Sequence, residues 1–299
     1  MKAIKNNLKS LIMSSALLLL SGMLFAFDDK ADNGNKAPVT INITGTRFLF
    51  PLIERWGQEF TKVQPGVTIV VKQGVPNPDI NATAAPIKNQ DPNKGKYVTV
   101  SRFAIVPIVN SHNPSLQNLQ SKGFSEKDFE TIYFKKDNTS EKPSAFEGDP
   151  LNYRVYSRTA CTSATFSNAF GEELKNLKNV GQRIENDNLL LETIAKDTLG
   201  VAYNDLGIVY DLKTRKPKAG ISVVPSDLNG NGVIEPSENF YNSLDDVIRN
   251  LESTSSNLPP RGDFTLVFKD TKPETAAFVD WILKDGQKYL HEYGFLSRK

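Results

Sequence analysis

Val39-Thr40-Ile41-Asn42-Ile43-Thr44-Gly45-Thr46-Arg47-Phe48-Leu49-Phe50-Pro51-Leu52-Ile53-Glu54-Arg55-Trp56 reads as a strand, a tight turn and a helix. Val39, Ile41 and Ile43 alternate with polar residues, the period of a half-buried strand. Gly45 permits a sharp turn without a Cβ penalty. Thr46 offers an N-capping hydroxyl, and Pro51 suits a first helical turn, where no N–H is needed. Leu52, Ile53, Trp56 and Phe60 then share one helical face. Such a turn aims N–H groups and a positive helix end at one point, so it is either an anion cradle or an ordinary strand-to-helix loop.

Upstream, Lys2, Lys5 and Lys9 precede an apolar run from Leu11 to Phe27, with the small residue Ala26 at a plausible cleavage point. The competing reading is an uncleaved anchor, but the run is short for a membrane span and a polar tail follows it, so residues 1–26 are expected to be a removed signal peptide. The whole chain carries 36 Lys and Arg against 34 Asp and Glu. Three of those lysines lie in the leader, which leaves 33 against 34 and moves the net charge from +2 to −1. The apparent basicity therefore belongs to the leader, and no nucleic-acid partner is expected. A single cysteine, Cys161, excludes an internal disulfide framework.

Downstream, strands are expected at Val67–Val71 and Val98–Asn110, the second long enough to cross between domains and running past Pro107. Ser125 with Asp128 has the spacing of a capping box. Lys135 to Pro150 is a polar loop. Helical periods occur over Phe166–Leu177, over Val180–Lys196 with Leu189, Leu190 and Ile194 inward, over Phe240–Leu251 and over Pro273–Tyr293. Short strands are expected at Leu199–Tyr203, Gly207–Tyr210, Ile221–Val224 and Phe264–Phe268. Strands alternating with helices imply an α/β protein.

The chain resembles the phosphate-binding family of type II periplasmic binding proteins from about Ile41 to Leu296. Gly45-Thr46-Arg47-Phe48-Leu49-Phe50-Pro51 with Trp56 is similar to the family's opening loop and helix. Asp79-Ile80-Asn81-Ala82-Thr83-Ala84 is similar to D-[FI]-G-A-S-D, and Phe103 to Pro114 to the first crossing strand with its Asn-Pro loop. Arg158-Thr159-Ala160-Cys161-Thr162-Ser163-Ala164-Thr165-Phe166 stands in the place of R-x-D-G-S-G-T-x-F. Leu199-Gly200-Val201-Ala202-Tyr203 resembles G-x-I-G-Y, and Phe278 to Leu283 with Gly294-Phe295 the closing F-x-D-W…G-F helix.

The resemblance implies a two-lobe fold with the ligand in an interlobe cleft. Lobe I would take residues 38–105 and 258–299, lobe II residues 106–257, and residues 27–37 would be a linker. Carried over by position, Thr46, Arg47 and Phe48 line one wall, Asn81 and Thr83 the floor, and Arg158, Thr162 and Ser163 the far loop. Helix ends, hydroxyls and one Arg can together replace water around an oxyanion. The sequence also departs from the family. Its Gly/Ser-rich stretch after the second strand is missing, and Ala84 replaces the aspartate that accepts a proton from phosphate. Ala160 replaces the acid of the Arg loop, Ala164 its last Thr, and Arg47 stands where a hydroxyl is usual. An anion other than monohydrogen phosphate is therefore expected.

Asp227-Leu228-Asn229-Gly230-Asn231-Gly232-Val233-Ile234-Glu235-Pro236-Ser237-Glu238 matches the twelve-residue EF-hand calcium loop. Asp227, Asn229 and Asn231 supply side-chain oxygens, Val233 a carbonyl, Glu235 a ligand through water and Glu238 a bidentate carboxylate. Gly232 permits the turn, Ile234 tucks the loop onto the fold, and Pro236 opens a helix. The expected role of Ca2+ is structural, in a loop inserted into the α/β fold.

The two histidines, His112 and His291, fall far apart in a crossing loop and the last helix, so no catalytic device is expected. The resulting expectation is a monomeric periplasmic or secreted protein that binds a small anion such as phosphate for an ABC permease. The competing reading is a degenerate binding-protein fold acting as a calcium-stabilised protein- or glycan-interaction module.

Overall fold

A computed structural model describes residues 37–134, 153–178, 184–269 and 271–298. The expected signal peptide, the linker up to residue 36, the polar loop from Lys135 and the start of the helix expected at Val180 lie outside them.

The opening stretch forms β1 (Val39–Gly45), a 3-10 turn (Arg47–Leu49) and α1 (Phe50–Val63). Ile41 and Ile43 are buried, as are Leu52, Ile53, Trp56 and Phe60 on one face of α1. Pro51 sits in the first turn of α1 as expected. The Trp56 indole donates to the Gly286 carbonyl at 2.8 Å and stacks on Phe264 at 5.6 Å, tying α1 to the C-terminal part of the chain. β2 (Val67–Val71) and β3 (Ile80–Thr83) both run parallel to β1.

The long strand β4 (Lys96–Asn110) joins two halves of one eight-stranded sheet. Lys96 to Ala104 pair with β8 (Arg261–Phe268), which in turn pairs with β3. From Ile105 onward β4 pairs instead with β6 (Gly200–Asp205) and β7 (Ile221–Val223), and β5 (Arg154–Val155) lies beyond β6. Pro107, inside β4, lies opposite Tyr203, and its carbonyl still accepts from the Val224 N–H at 3.1 Å. Ile105 and Val109 enter one hydrophobic core, whereas Ala104, Val106 and Ile108 enter another. This half-sheet is therefore covered on both faces, which explains the near-continuous apolar run that marked it in the sequence.

Helices α2 (Leu116–Lys122) and α3 (Glu126–Tyr133) follow β4, and the Ser125–Asp128 capping box is formed. Five expectations need correction. The helix expected at Phe166 begins at Cys161 (α4, Cys161–Ala169), so its first turn lies five residues earlier. In α5 (Asp187–Lys196) Leu190, Leu191 and Ile194 are buried, while Leu189 is exposed. The strand expected at Gly207–Tyr210 is a helical turn, α6 (Leu206–Val209), closed by the Tyr210 N–H donating to the Leu206 carbonyl at 3.0 Å. No helix starts at Pro236; α7 (Leu244–Ser253) begins after the N-cap Ser243, whose hydroxyl accepts from the Asp246 N–H. Finally α8 (Pro273–Lys284) gives way to 3-10 turns before Tyr293. No helix among the described residues is long and apolar enough to cross a membrane.

Candidate functional site

The end of β1 lies hard against β3. A Cβ at Gly45, whose φ is +139°, would fall 1.9 Å from the Ala82 carbonyl oxygen, so only glycine allows this approach. The Thr46 N–H then donates to that same carbonyl at 2.8 Å. Its hydroxyl does not cap a helix, as the sequence suggested. It donates to Cys161 Sγ at 3.3 Å and accepts from the Ala84 N–H at 3.3 Å. Thr46 thus joins the β1 loop to α4. Phe48 packs edge-on against Phe103 and stacks on Phe295, which fixes the turn that carries Arg47.

β3 supplies the floor. Its alternation buries Ile80 and Ala82 and turns Asn81 and Thr83 to the opposite side. Asp79, just before it, is a structural anchor: its carboxylate pairs with Lys272 at 2.8 Å and accepts from the Asn42 N–H.

The far wall is the first turn of α4. Its N-cap, Ala160, is extended and offers no side-chain acceptor, so the first N–H groups of the helix lack the usual capping partner. Thr162 stands in this turn and faces the cleft. Ser163 does not; it is buried, and its hydroxyl accepts from the Tyr203 phenol at 2.9 Å. Tyr203 stacks on Phe166 at 3.9 Å, and burial holds its phenol up at about 12.

Arg158 is buried, and each of its three guanidinium nitrogens has one partner, which leaves two of its five N–H groups for a ligand. Its guanidinium pairs with the Asp187 carboxylate and donates to the carbonyls of Ile184 and Glu185, each at 3.3 Å. Asp187 also accepts from the Asn204 amide at 3.0 Å. Arg47 donates to the same Glu185 carbonyl at 3.4 Å. Asp187 was not legible as a site residue. The sequence marks it only as the residue after Asn186, the N-cap of α5.

These elements enclose a cleft of about 500 Å³. Seven of the eight positions expected from the sequence line it: Thr46, Arg47, Phe48, Asn81, Thr83, Arg158 and Thr162. Gln73, Gly74, Cys161 and Asp187 are among the other residues that line it. Gly74, just after β2, donates its N–H to the Thr44 hydroxyl at 3.0 Å. A second chamber of about 320 Å³ adjoins the cleft, sharing Arg47, Phe48 and Asp187. It reaches Asp205, whose carboxyl is lifted to about 8 by burial and by the Asp187 charge.

The 227–238 loop closes on itself. Asp227 accepts from the N–H groups of Gly230 and Gly232 at 2.8 Å and of Asn231 at 3.3 Å. Glu238 accepts from those of Leu228 at 2.7 Å and Glu235 at 3.0 Å. Both carboxylates are buried. The Asn229 and Asn231 amides reach Glu235, and the Val233 N–H donates to the Asn231 side chain. Ile234 does fasten the loop: its N–H donates to Ser121 at 2.7 Å and its side chain fills the space over Gly123. Among the described residues no group of three or more His, Cys, Asp or Glu is arranged to hold a metal ion.

No protein-family model matches the chain. No curated protein sequence matches it either. Solved structures do. An ABC-type phosphate transport receptor from Vibrio cholerae is 14% identical, with a TM-score of 0.59, over 87% of this chain and 100% of its own. A substrate-binding protein assigned to phosphate ABC transport, with phosphate bound, from Clostridium perfringens is 18% identical, with a TM-score of 0.63, over the same shares. The regulatory domain of CcmR from Synechocystis PCC6803, in complex with 2-PG, is 12% identical, with a TM-score of 0.51, over 83% of this chain and 97% of its own. The fold is therefore the phosphate-binding-protein-like α/β fold over most of the chain, and the CcmR domain shows that proteins with different roles share it.

Proposed function

We propose that this protein is an exported substrate-binding protein of an ABC-type uptake system that captures a small oxyanion in the cleft between β1, β3 and α4. The change of strand partners along β4 at Ala104 and Ile105 would mark the division into two lobes. One observation carries the reading: Thr46, Asn81, Thr83, Arg158 and Thr162, from three distant segments, converge on one cleft beside an uncapped helix start. Hydroxyls, backbone N–H groups and a guanidinium can replace the hydration of an anion there. Proteins of the same fold named for phosphate transport support the same role.

The ligand is an oxyanion that needs no proton acceptor. Ala84 and Ala160 supply no carboxylate, and the acid that does line the cleft, Asp187, is engaged by Arg158 and Asn204. Sulfate-like anions fit such a site better than monohydrogen phosphate, whose proton requires an acceptor. Calorimetric titration with sulfate, phosphate, molybdate and small carboxylates tests this; tight binding of phosphate alone would contradict it.

The loop 227–238 is proposed to hold one structural Ca2+. Its Asp-x-Asn-x-Asn-Gly spacing and its buried Asp227 and Glu238 support that role. A monomer delivering its ligand to a permease completes the proposal.

A further inference from the structure

A third cavity lies farther along α4, beside Thr165 and Asn168. It measures about 380 Å³ and shares no lining residue with the cleft. The Thr165 hydroxyl, which donates to the Ala84 carbonyl at 2.7 Å, stands between the two. The cavity is framed by β4, β8, α4 and the segment after β3, beside the part of the long strand that pairs with β8.

Two arginines face it, Arg102 from β4 and Arg261 from β8. A register shift between Thr99 and Ser101 places Arg102 on the same side of the sheet as Thr99, opposite Asp263. Bulges re-aim side chains in this way. Each guanidinium has one anchor on the chain, Arg102 to the Ser297 carbonyl and Arg261 to the Leu251 carbonyl, both at 2.9 Å. Among the described residues neither forms an ion pair, although Asp263 stands exposed at the mouth. Partial burial and the neighbouring Arg102 charge pull the Arg261 guanidinium below its ordinary value. Two like charges held together in a half-buried cavity cost stability unless a counter-charge enters. The remaining walls carry Thr165, Asn168 and Gln90, whose polar groups suit oxygen atoms.

We propose that the cavity between Arg102, Arg261 and Asn168 is a second anion site, which takes a multivalent oxyanion such as a pyrophosphate or a tricarboxylate. Such a ligand bridges the crossing strands to α4 and fixes their relative disposition. The site stands independently of the cleft, since its lining and its charges are separate.

The test is calorimetric titration of the purified protein with pyrophosphate and, separately, with citrate, which distinguishes phosphoryl from carboxylate ligands. Asn168→Asp changes an exposed position and places a negative charge against the ligand; Arg261→Gln removes one guanidinium. Binding of at least one probe is expected, weakened about tenfold or more by each substitution. If Arg261→Gln does not fold, Asn168→Asp decides alone. The proposal is overturned if folded Asn168→Asp binds as the wild type does, or if neither probe binds at about 1 mM, where any useful affinity would register.

Discussion

Arg158 was legible as a cleft residue, but its employment was not. The sequence places an Arg before a hydroxyl-rich helix start; it cannot place Asp187, 29 residues on, against that Arg. The pairing came from the fold, which brings the start of α5 beside the segment before α4. Because Asp187 competes with any anion for the guanidinium, Asp187→Asn should tighten oxyanion binding about tenfold, the order expected for freeing one charge-assisted interaction, as read by calorimetry. Asp205 permits a second prediction. Its carboxyl rises from an ordinary 3.8 to about 8 through burial and the Asp187 charge, with Lys218 and backbone N–H groups opposing. In the folded state it holds its proton up to about pH 8, while in the unfolded chain it loses the proton near pH 4, about the ordinary value. The unfolded chain therefore binds fewer protons between those limits, and stability must fall as pH rises through that window. Asp205→Asn should flatten this slope and raise the melting temperature above pH 8; an unchanged pH profile would contradict the assignment.

At the scale of elements, long periodic segments were read well and short ones poorly. α1 and β4 carry enough apolar positions to declare themselves, and the buried Leu52, Ile53, Trp56 and Phe60 are those the period selected. α6 and the first turn of α4 did not: α6 is four apolar residues, too few to show a helical period, and Thr162 and Ser163, expected in a loop, are small polar residues of a first turn. Trp56 helps tie α1 to the C-terminal region, together with Phe60 against Phe278 and Trp281. Trp56→Phe should lose its hydrogen bond to Gly286 at a cost of about 1 kcal/mol, and Trp56→Ala should cost about 3–5 kcal/mol through the cavity left beside Phe264, as measured by denaturant unfolding. The 227–238 loop gives the other test at this scale. Calcium at ten to a hundred times its dissociation constant should add about 1–3 kcal/mol of stability. Glu238→Gln should abolish that gain; a melting temperature unmoved by calcium, chelator or the substitution would remove the metal from the account.

For the whole molecule, the order of motifs along the chain was enough to indicate the fold, since the strand–turn–helix at Val39 to Trp56, the long crossing strand and the closing helix all stand where that order requires. Chemistry was less legible than architecture. The positions of the cleft walls follow from the backbone, whereas the charge inside the cleft depends on pairings such as Arg158 with Asp187 that no local pattern encodes. The cleft between β1, β3 and α4 is the feature on which the functional reading rests, and if the chain closes as two lobes around a ligand the scattering radius should fall. Calorimetric titration of sulfate, phosphate, molybdate and small carboxylates into the wild type and Thr162→Val tests that reading most directly. The account predicts that at least one of sulfate, molybdate and the carboxylates binds in the cleft and that the substitution weakens it about tenfold, as loss of one hydrogen bond to a charged ligand should. Absence of binding by every anion, or binding that Thr162→Val leaves unchanged, would contradict it.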